Sequence, residues 1–276
     1  MTNVLNRALR RMMSFARERI LAVLLDEEQL RLLQKPQRWA SSRRRGIGRE
    51  LGAALGNRVA HGPFAGVRLS EESLWGADVA AMLLGLYEQE VVARIAKRCR
   101  PWDLFINVGA ADGFYAVGCL TSGIAMRCIA FESDPRAQEI LRATAAANGV
   151  LDRLEVRGAA GTEDLLQIAP ESDTIVLIDI EGQEFDVLTQ AALEHLRGTE
   201  VIVEVHEWAV RKADDVERLV ETARRAGFFL EWISTGPRDP GAIPEIAHLK
   251  DDDRWIICSE GRPRPMRWLR LSPEPN

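Results

Sequence analysis

Between residues 103 and 233 the chain repeats one pattern, a short apolar run closed by turn formers and, after most runs, a stretch of helical spacing. Asp103 to Val108 (DLFINV), Arg127 to Phe131 (RCIAF), Leu154 to Arg157, Asp173 to Ile180 (DTIVLIDI) and Glu200 to Val205 (EVIVEV) read as five strands. Helices are expected from Tyr115 to Thr121, from Pro135 to Asn148, through Phe185, Leu188 and Leu193, and from Asp214 to Ala226. Strands that alternate with helices define an α/β chain, with an open and mostly parallel sheet covered on both faces. The unbroken apolar character of the fourth and fifth runs fits strands buried on both sides. Phe228 to Ile233 and Trp255 to Cys258 read as two late strands, joined by a Pro/Gly-rich loop with no clear helix, and suggest an antiparallel finish.

Upstream of this core the composition changes. Residues 1–58 carry a net charge of +8, and the remainder carries -13, within a total of -5 over 276 residues. Residues 3–34 have helical spacing, with arginines between the apolar positions, and Gln34-Lys35-Pro36 is expected to end that helix. Ser41 to Arg49 (SSRRRGIGR) reads as an exposed linker, and 59–75 as a small hairpin. Ala77 to Lys97 reads as one helix stopped by Arg100-Pro101. The division expected is a basic helical extension and linker over 1–58 and one α/β domain over 59–276. An Arg-rich amphipathic helix can lie on an anionic membrane, pack on a dimer mate or pack on its own domain. No nucleic-acid partner is expected, because neither aromatic interleaving nor a known module accompanies the arginines. Four cysteines form no CxxC pair, so a zinc site is not expected; Cys119 and Cys128 read as core fillers. No apolar stretch approaches the roughly 18 residues that span a bilayer. The expected location is cytoplasmic, with peripheral membrane contact through the basic helix as an option.

In such a sheet, ligands bind at the carboxyl ends of the strands, near the point where strand order reverses. The first strand runs into Asn107-Val108-Gly109-Ala110-Ala111-Asp112-Gly113, where glycines allow a sharp turn and close backbone approach to a ligand. Glu132 ends the second strand, about twenty residues past the glycine loop, where a carboxylate can accept hydrogen bonds from both hydroxyls of a ribose. Gly158-Ala159-Ala160-Gly161 follows the third strand, and its small residues leave room for an adenine ring. The loop reads Gly-x-Ala-x-Gly, so the Gly-x-Gly-x-x-Gly arrangement expected under a pyrophosphate is missing. That counts against a nicotinamide-dependent oxidoreductase.

These pieces resemble the class I S-adenosylmethionine-dependent methyltransferases, and within them the FkbM-like family. The resemblance rests on FINVGAADGFYAVG (105–118), AFESDP (130–135), ANGV (147–150), LIDIEGQEFDVL (177–188) and VIVEVHEW (201–208). It implies a doubly wound, Rossmann-like sheet of seven strands, with S-adenosylmethionine as cofactor. It also implies O-methylation of a sugar, glycan or small-metabolite hydroxyl. Carried over residue by residue, Gly109, Ala111 and Gly113 would line the methionine part of the cofactor, with Glu132 on the ribose and Asp179 facing the reacting centre; Ala159, in the small-residue turn, is the residue expected beside the base. Many members have an acidic residue where this chain has Asn107, which would help hold the cofactor's ammonium; Asp112 is the residue that can compensate.

Asp179, Glu181, Glu184, Glu204 and His206 form a second constellation, at the ends of two strands expected to be neighbours. Methyl transfer to oxygen needs a base or a metal to deal with the hydroxyl proton. His206, with an ordinary pKa near 6.5, suits the first role together with Asp179. A divalent ion held by Asp179, Glu204 and His206 suits the second. Glu184 reads as a charge on the first turn of the following helix. His61, His195 and His248 stand apart and are given no role. A non-catalytic scaffold that docks on a membrane or partner is the competing reading, with Asn107 as its support.

Overall fold

The computed structural model describes residues 27–73, 76–170, 173–210, 212–262 and 266–275. Its sheet has seven strands: β1 (Trp102–Val108), β2 (Ala125–Phe131), β3 (Leu154–Arg157), β4 (Thr174–Ile178), β5 (Glu200–Glu204), β6 (Phe229–Ser234) and β7 (Arg267–Ser272). They lie in the order β3-β2-β1-β4-β5-β7-β6. The first five pair in parallel, and β7 inserts antiparallel between β5 and β6. This is a doubly wound, mostly parallel sheet, as the alternation of strands and helices predicts.

Strand periodicity divides the core in two. Leu104 and Ile106 of β1 belong to one cluster, and Phe105 between them belongs to the other. The Phe105 face is covered by α1 (Glu27–Leu55), α2 (Val79–Leu83), α3 (Gln89–Ala96), α4 (Phe114–Thr121), α5 (Pro135–Ala147) and α10 (Asp251–Cys258). The Leu104 face is covered by α6 (Thr162–Leu166), α7 (Glu184–Val187), α8 (Gln190–His195) and α9 (Asp215–Arg225). Every residue of β4 is buried, as its unbroken apolar run requires. Cys119 and Cys128 are buried free thiols in the Phe105-side core, and burial raises both pKa values. Among the described residues, no helix is long and apolar enough to cross a membrane.

Four expectations need correction. The segment 41–49 is not a linker, and Pro36 does not end a helix: α1 runs through both, from Glu27 to Leu55. Tertiary packing overrides the local signals, since Ile47 and Leu51 are buried in the Phe105-side core and the backbone at Gly48 lies against Ala80. The arginines of this stretch fasten the helix to its own domain. Arg43 donates two hydrogen bonds to Asp253, at 2.8 and 2.7 Å, and the buried Arg44 donates to the Ser259 carbonyl. The part of the expected helix over 3–26 lies outside the described residues.

The stretch 77–97 is two short helices rather than one. The chain turns at Gly85, and Glu88 takes a left-handed conformation, φ 43°, immediately before α3. Trp255 to Cys258 is helix, not strand. Three aspartates, 251 to 253, fill the first turn of α10, where the helix dipole favours them, and Ile257 and Cys258 are buried while Trp255 stays exposed. A helix therefore does lie between the late strands, and the seventh strand is Arg267–Ser272. The antiparallel finish is found, one element later in the chain than expected.

Candidate active site

Strand order reverses between β1 and β4, and the loops leaving the carboxyl ends of the strands open into a cavity of about 540 Å³. One half is made by consecutive loops. Gly109, Ala111 and Asp112 follow β1; Glu132 and Ser133 follow β2; Ala159 and Ala160 follow β3. Gly109 sits at φ 84°, and a Cβ there would lie 1.7 Å from the Asp179 carbonyl oxygen, so the β1 and β4 loops meet only because this residue has no side chain. Gly113 sits at φ 98°, where a Cβ would strike Leu141, and it opens α4. Glu132 ties the half together: one carboxylate oxygen accepts the Ala111 N–H at 2.8 Å, and the other accepts the Asp134 N–H at 2.8 Å. Asp112 is buried and takes a hydrogen bond from the Ser73 hydroxyl. Asn107, one residue before the strand end, is buried with its Oδ1 unpaired and does not line the cavity.

The other half gathers residues from distant parts of the chain. Asp179 and Glu181 leave β4, Glu204 and His206 leave β5, and Trp208 flanks the cavity with its ring edge-on to His206. His206 Nε2 lies 3.5 Å from an Asp179 oxygen, 3.5 Å from Glu181 and 3.4 Å from Glu204. The neighbouring strands therefore do bring Asp179 and His206 side by side. Glu184 does stand in the first turn of α7, as expected, but it faces the protein interior. It is fully buried, accepts the His206 backbone N–H at 2.8 Å and the Gly182 N–H at 2.8 Å, and lies 3.2 Å from His206 Nδ1. Burial pulls the His206 pKa down, but the Glu184 hydrogen bond and the charges of Glu184, Glu204 and Glu181 outweigh it, and the net shift is upward. Burial and the neighbouring Glu204 and Glu88 push Asp179 well above the usual carboxylate range.

Residues with no prominent sequence signal complete this half. Glu88 is 3% exposed and takes a hydrogen bond from Tyr115 at 2.5 Å. Arg262 joins Glu88, Glu204 and Glu260 in one ion network. Burial, with Glu204 next in weight, raises Glu88 to about 8. Among the described residues four non-glycine residues have positive φ, and three of them, Glu88, Ala111 and Glu181, stand at this site. Such conformations cost about 1–3 kcal/mol each, so their concentration marks a place where geometry is held against local preference. For Glu88 the one hint in the sequence was Gly85, which breaks the helical spacing just before it. Among the other histidines, His61 pairs with Glu245 and His195 with the Ile168 carbonyl, and neither lines the cavity.

No protein-family model matches the chain, and no curated protein matches it. Solved structures do resemble it in chain course. A S-adenosylmethionine-dependent O-methyltransferase from Thermotoga maritima is 11% identical with a TM-score of 0.46, over 69% of this chain and 66% of that one. An O-methyltransferase from Bacillus cereus, in complex with S-adenosylhomocysteine, is 13% identical with a TM-score of 0.45, over 83% and 90%. Precorrin-6y C5,15-methyltransferase from Geobacter metallireducens is 11% identical with a TM-score of 0.45, over 74% and 92%.

Proposed function

We propose that the protein is a S-adenosylmethionine-dependent methyltransferase acting on a hydroxyl oxygen, with a sugar, glycan or other small metabolite as acceptor. The observation that carries the proposal is the division of one cavity into two chemically different halves. Beside β1 to β3, a carboxylate (Glu132), a tight loop (109–113) and a wall of small residues (Ala159, Ala160) suit a ribose, an amino-acid tail and a base. Beside β4 and β5, Asp179 and His206 offer proton-accepting groups where an acceptor would enter. The cavity size lies within the range of cofactor sites, roughly 300–1,000 Å³.

In this reading Glu132 would hold the ribose hydroxyls, Gly109 and Ala111 the methionine part, and Asp112 would face the ammonium; Asp112 lines the cavity, whereas Asn107 and Gly113 do not, Gly113 packing instead against Leu141. The cofactor, when bound, supplies an electrophilic methyl group. The chain supplies position: the rigid β1 loop and the β4 loop meet at Gly109, so the two halves are fixed relative to one another before anything binds. Glu184 fixes the His206 ring, and the acceptor hydroxyl would lose its proton as the methyl group arrives, assisted from this side. The FkbM-like resemblance favours an oxygen acceptor of sugar or metabolite type, and Trp208 gives the acceptor end an exposed aromatic face of the sort that sugars pack on.

The test is transfer of a labelled methyl group from S-adenosylmethionine to a panel of sugars and hydroxylated metabolites, with calorimetry of S-adenosylhomocysteine alongside. Binding with transfer to a hydroxyl is the expected result. Binding without transfer to any acceptor would favour the scaffold reading, and no binding would remove the cofactor assignment.

A further inference from the structure

At the acceptor end, hydrogen bonding within the chain leaves one group of atoms unsatisfied. An ionised carboxylate only accepts, so the Glu184 contact places a proton on His206 Nδ1, and Nε2 faces away from Glu184 as the atom that takes up either a second proton or a cation. His206 is 2% exposed, and its Nε2 makes no hydrogen bond to any described residue. What faces it are carboxylate oxygens at 3.4–3.5 Å from Asp179, Glu181 and Glu204. The Asp179 oxygen is itself buried and without a hydrogen-bond partner. Glu204 has Arg262 as counter-charge; among the described residues Asp179 and Glu181 have no arginine or lysine partner. Lone pairs converging in a partly dry site call for a positive charge among them.

We propose that Asp179, Glu181 and His206 Nε2 form a binding site for one divalent cation of the Mg²⁺/Mn²⁺ class, with its remaining positions open to the cavity. One ligand atom from each of the three residues lies within 4.8 Å of the others. Ligands at about 2.1 Å from an octahedral ion stand about 3 Å apart in neighbouring positions, so sub-ångström side-chain shifts would close the set around Nε2. Two carboxylates with one imidazole suit Mn²⁺ better than Ca²⁺, which prefers oxygen alone. The Glu184–His206 contact is the carboxylate–histidine support that orients metal-binding imidazoles. Glu181 replaces Glu204 in the set expected from the sequence, because Glu204 is committed to Arg262. The use of the ion rests on the methyl-transfer reading, in which it would coordinate an acceptor oxygen beside the cofactor half; the existence of the site does not rest on it.

The experiment is titration of the metal-free full chain with Mn²⁺, followed by loss of the free-ion electron paramagnetic resonance signal. One Mn²⁺ per chain is expected, and Glu181→Gln should weaken it by about tenfold or more. Glu181 is exposed, so this variant should keep the wild-type melting curve, which is recorded as the control for folding. His206→Gln, checked the same way, should weaken the ion as well. No binding up to ~1 mM, the weak end of protein divalent-ion sites, or equal affinity in wild type and Glu181→Gln, overturns the site. S-adenosylhomocysteine calorimetry on the same wild-type sample separates the two claims. Nucleoside binding without Mn²⁺ overturns the ion alone, and Mn²⁺ binding without the nucleoside overturns the methyl-transfer reading alone.

Discussion

The two halves of the cavity are built in opposite ways. The half beside β1 to β3 uses short loops, each directly after its strand, and the contact that ties it together, from Ala111 to Glu132, spans 21 residues. The half beside β4 and β5 closes only when Glu88, Tyr115, Glu204 and Arg262 meet across up to 174 residues of sequence. The first is held by backbone shape and is nearly free of buried charge repulsion. The second is held by charge, with carboxylates crowded around one arginine and one histidine. A half set by backbone should fail sterically, and a half set by charge should fail with pH.

Gly109→Ala gives the largest expected effect on the first half. Its Cβ would overlap a backbone carbonyl that no rotamer change can move, at a φ that alanine resists, so a loss of about 4 kcal/mol or more in chemical denaturation is expected. A loss below about 1 kcal/mol would show that the β1 and β4 loops are not locked as described. Arg262→Met comes next, in the second half. Removing the cation leaves the buried Glu204 carboxylate without its counter-charge, at a cost of about 3 kcal/mol. Unchanged stability would mean that this carboxylate takes up a proton without cost. The smallest effect is a slope. Glu88 rises from 4.5 to about 8, so the folded state holds a proton that the unfolded state releases, and stability falls as pH rises through that window. Melting temperature should therefore drop between pH 5 and pH 8, and Glu88→Gln should flatten the drop; an equally steep fall in the variant would place the titration elsewhere.

The same contrast explains what the sequence made legible. Strands β1 to β5 and the residues at their ends could be read because each apolar run and its turn are contiguous, and Glu132, Asp179 and His206 follow from position at a strand end. Glu88 and Arg262 could not be read, since their meaning comes from a partner elsewhere in the chain. Glu88 was hidden in what read as one helix, and Arg262 in a loop without pattern. The misread linker has a related cause. Ser41 to Arg49 has the composition of an exposed turn, and only Asp253 and Ser259, more than 200 residues on, supply the partners that bury its arginines. The late strand was misplaced because four residues, Trp255 to Cys258, carry too little periodicity to separate helix from strand. The +8 of residues 1–58 is correspondingly less of a free patch than it looks, because Arg43 and Arg44 are already paired within the domain.

In the proposed reading, one cavity has a cofactor half at Glu132 and an acceptor half at His206. The most direct test is a single calorimetric comparison of S-adenosylhomocysteine binding to wild type, Glu132→Ala and His206→Ala, with melting curves to confirm that each variant is folded. Loss of two charged hydrogen bonds should weaken Glu132→Ala by about 10- to 100-fold, with His206→Ala within about threefold of wild type. Equal losses in both variants, or binding indifferent to Glu132, would contradict the division of the cavity into these two halves.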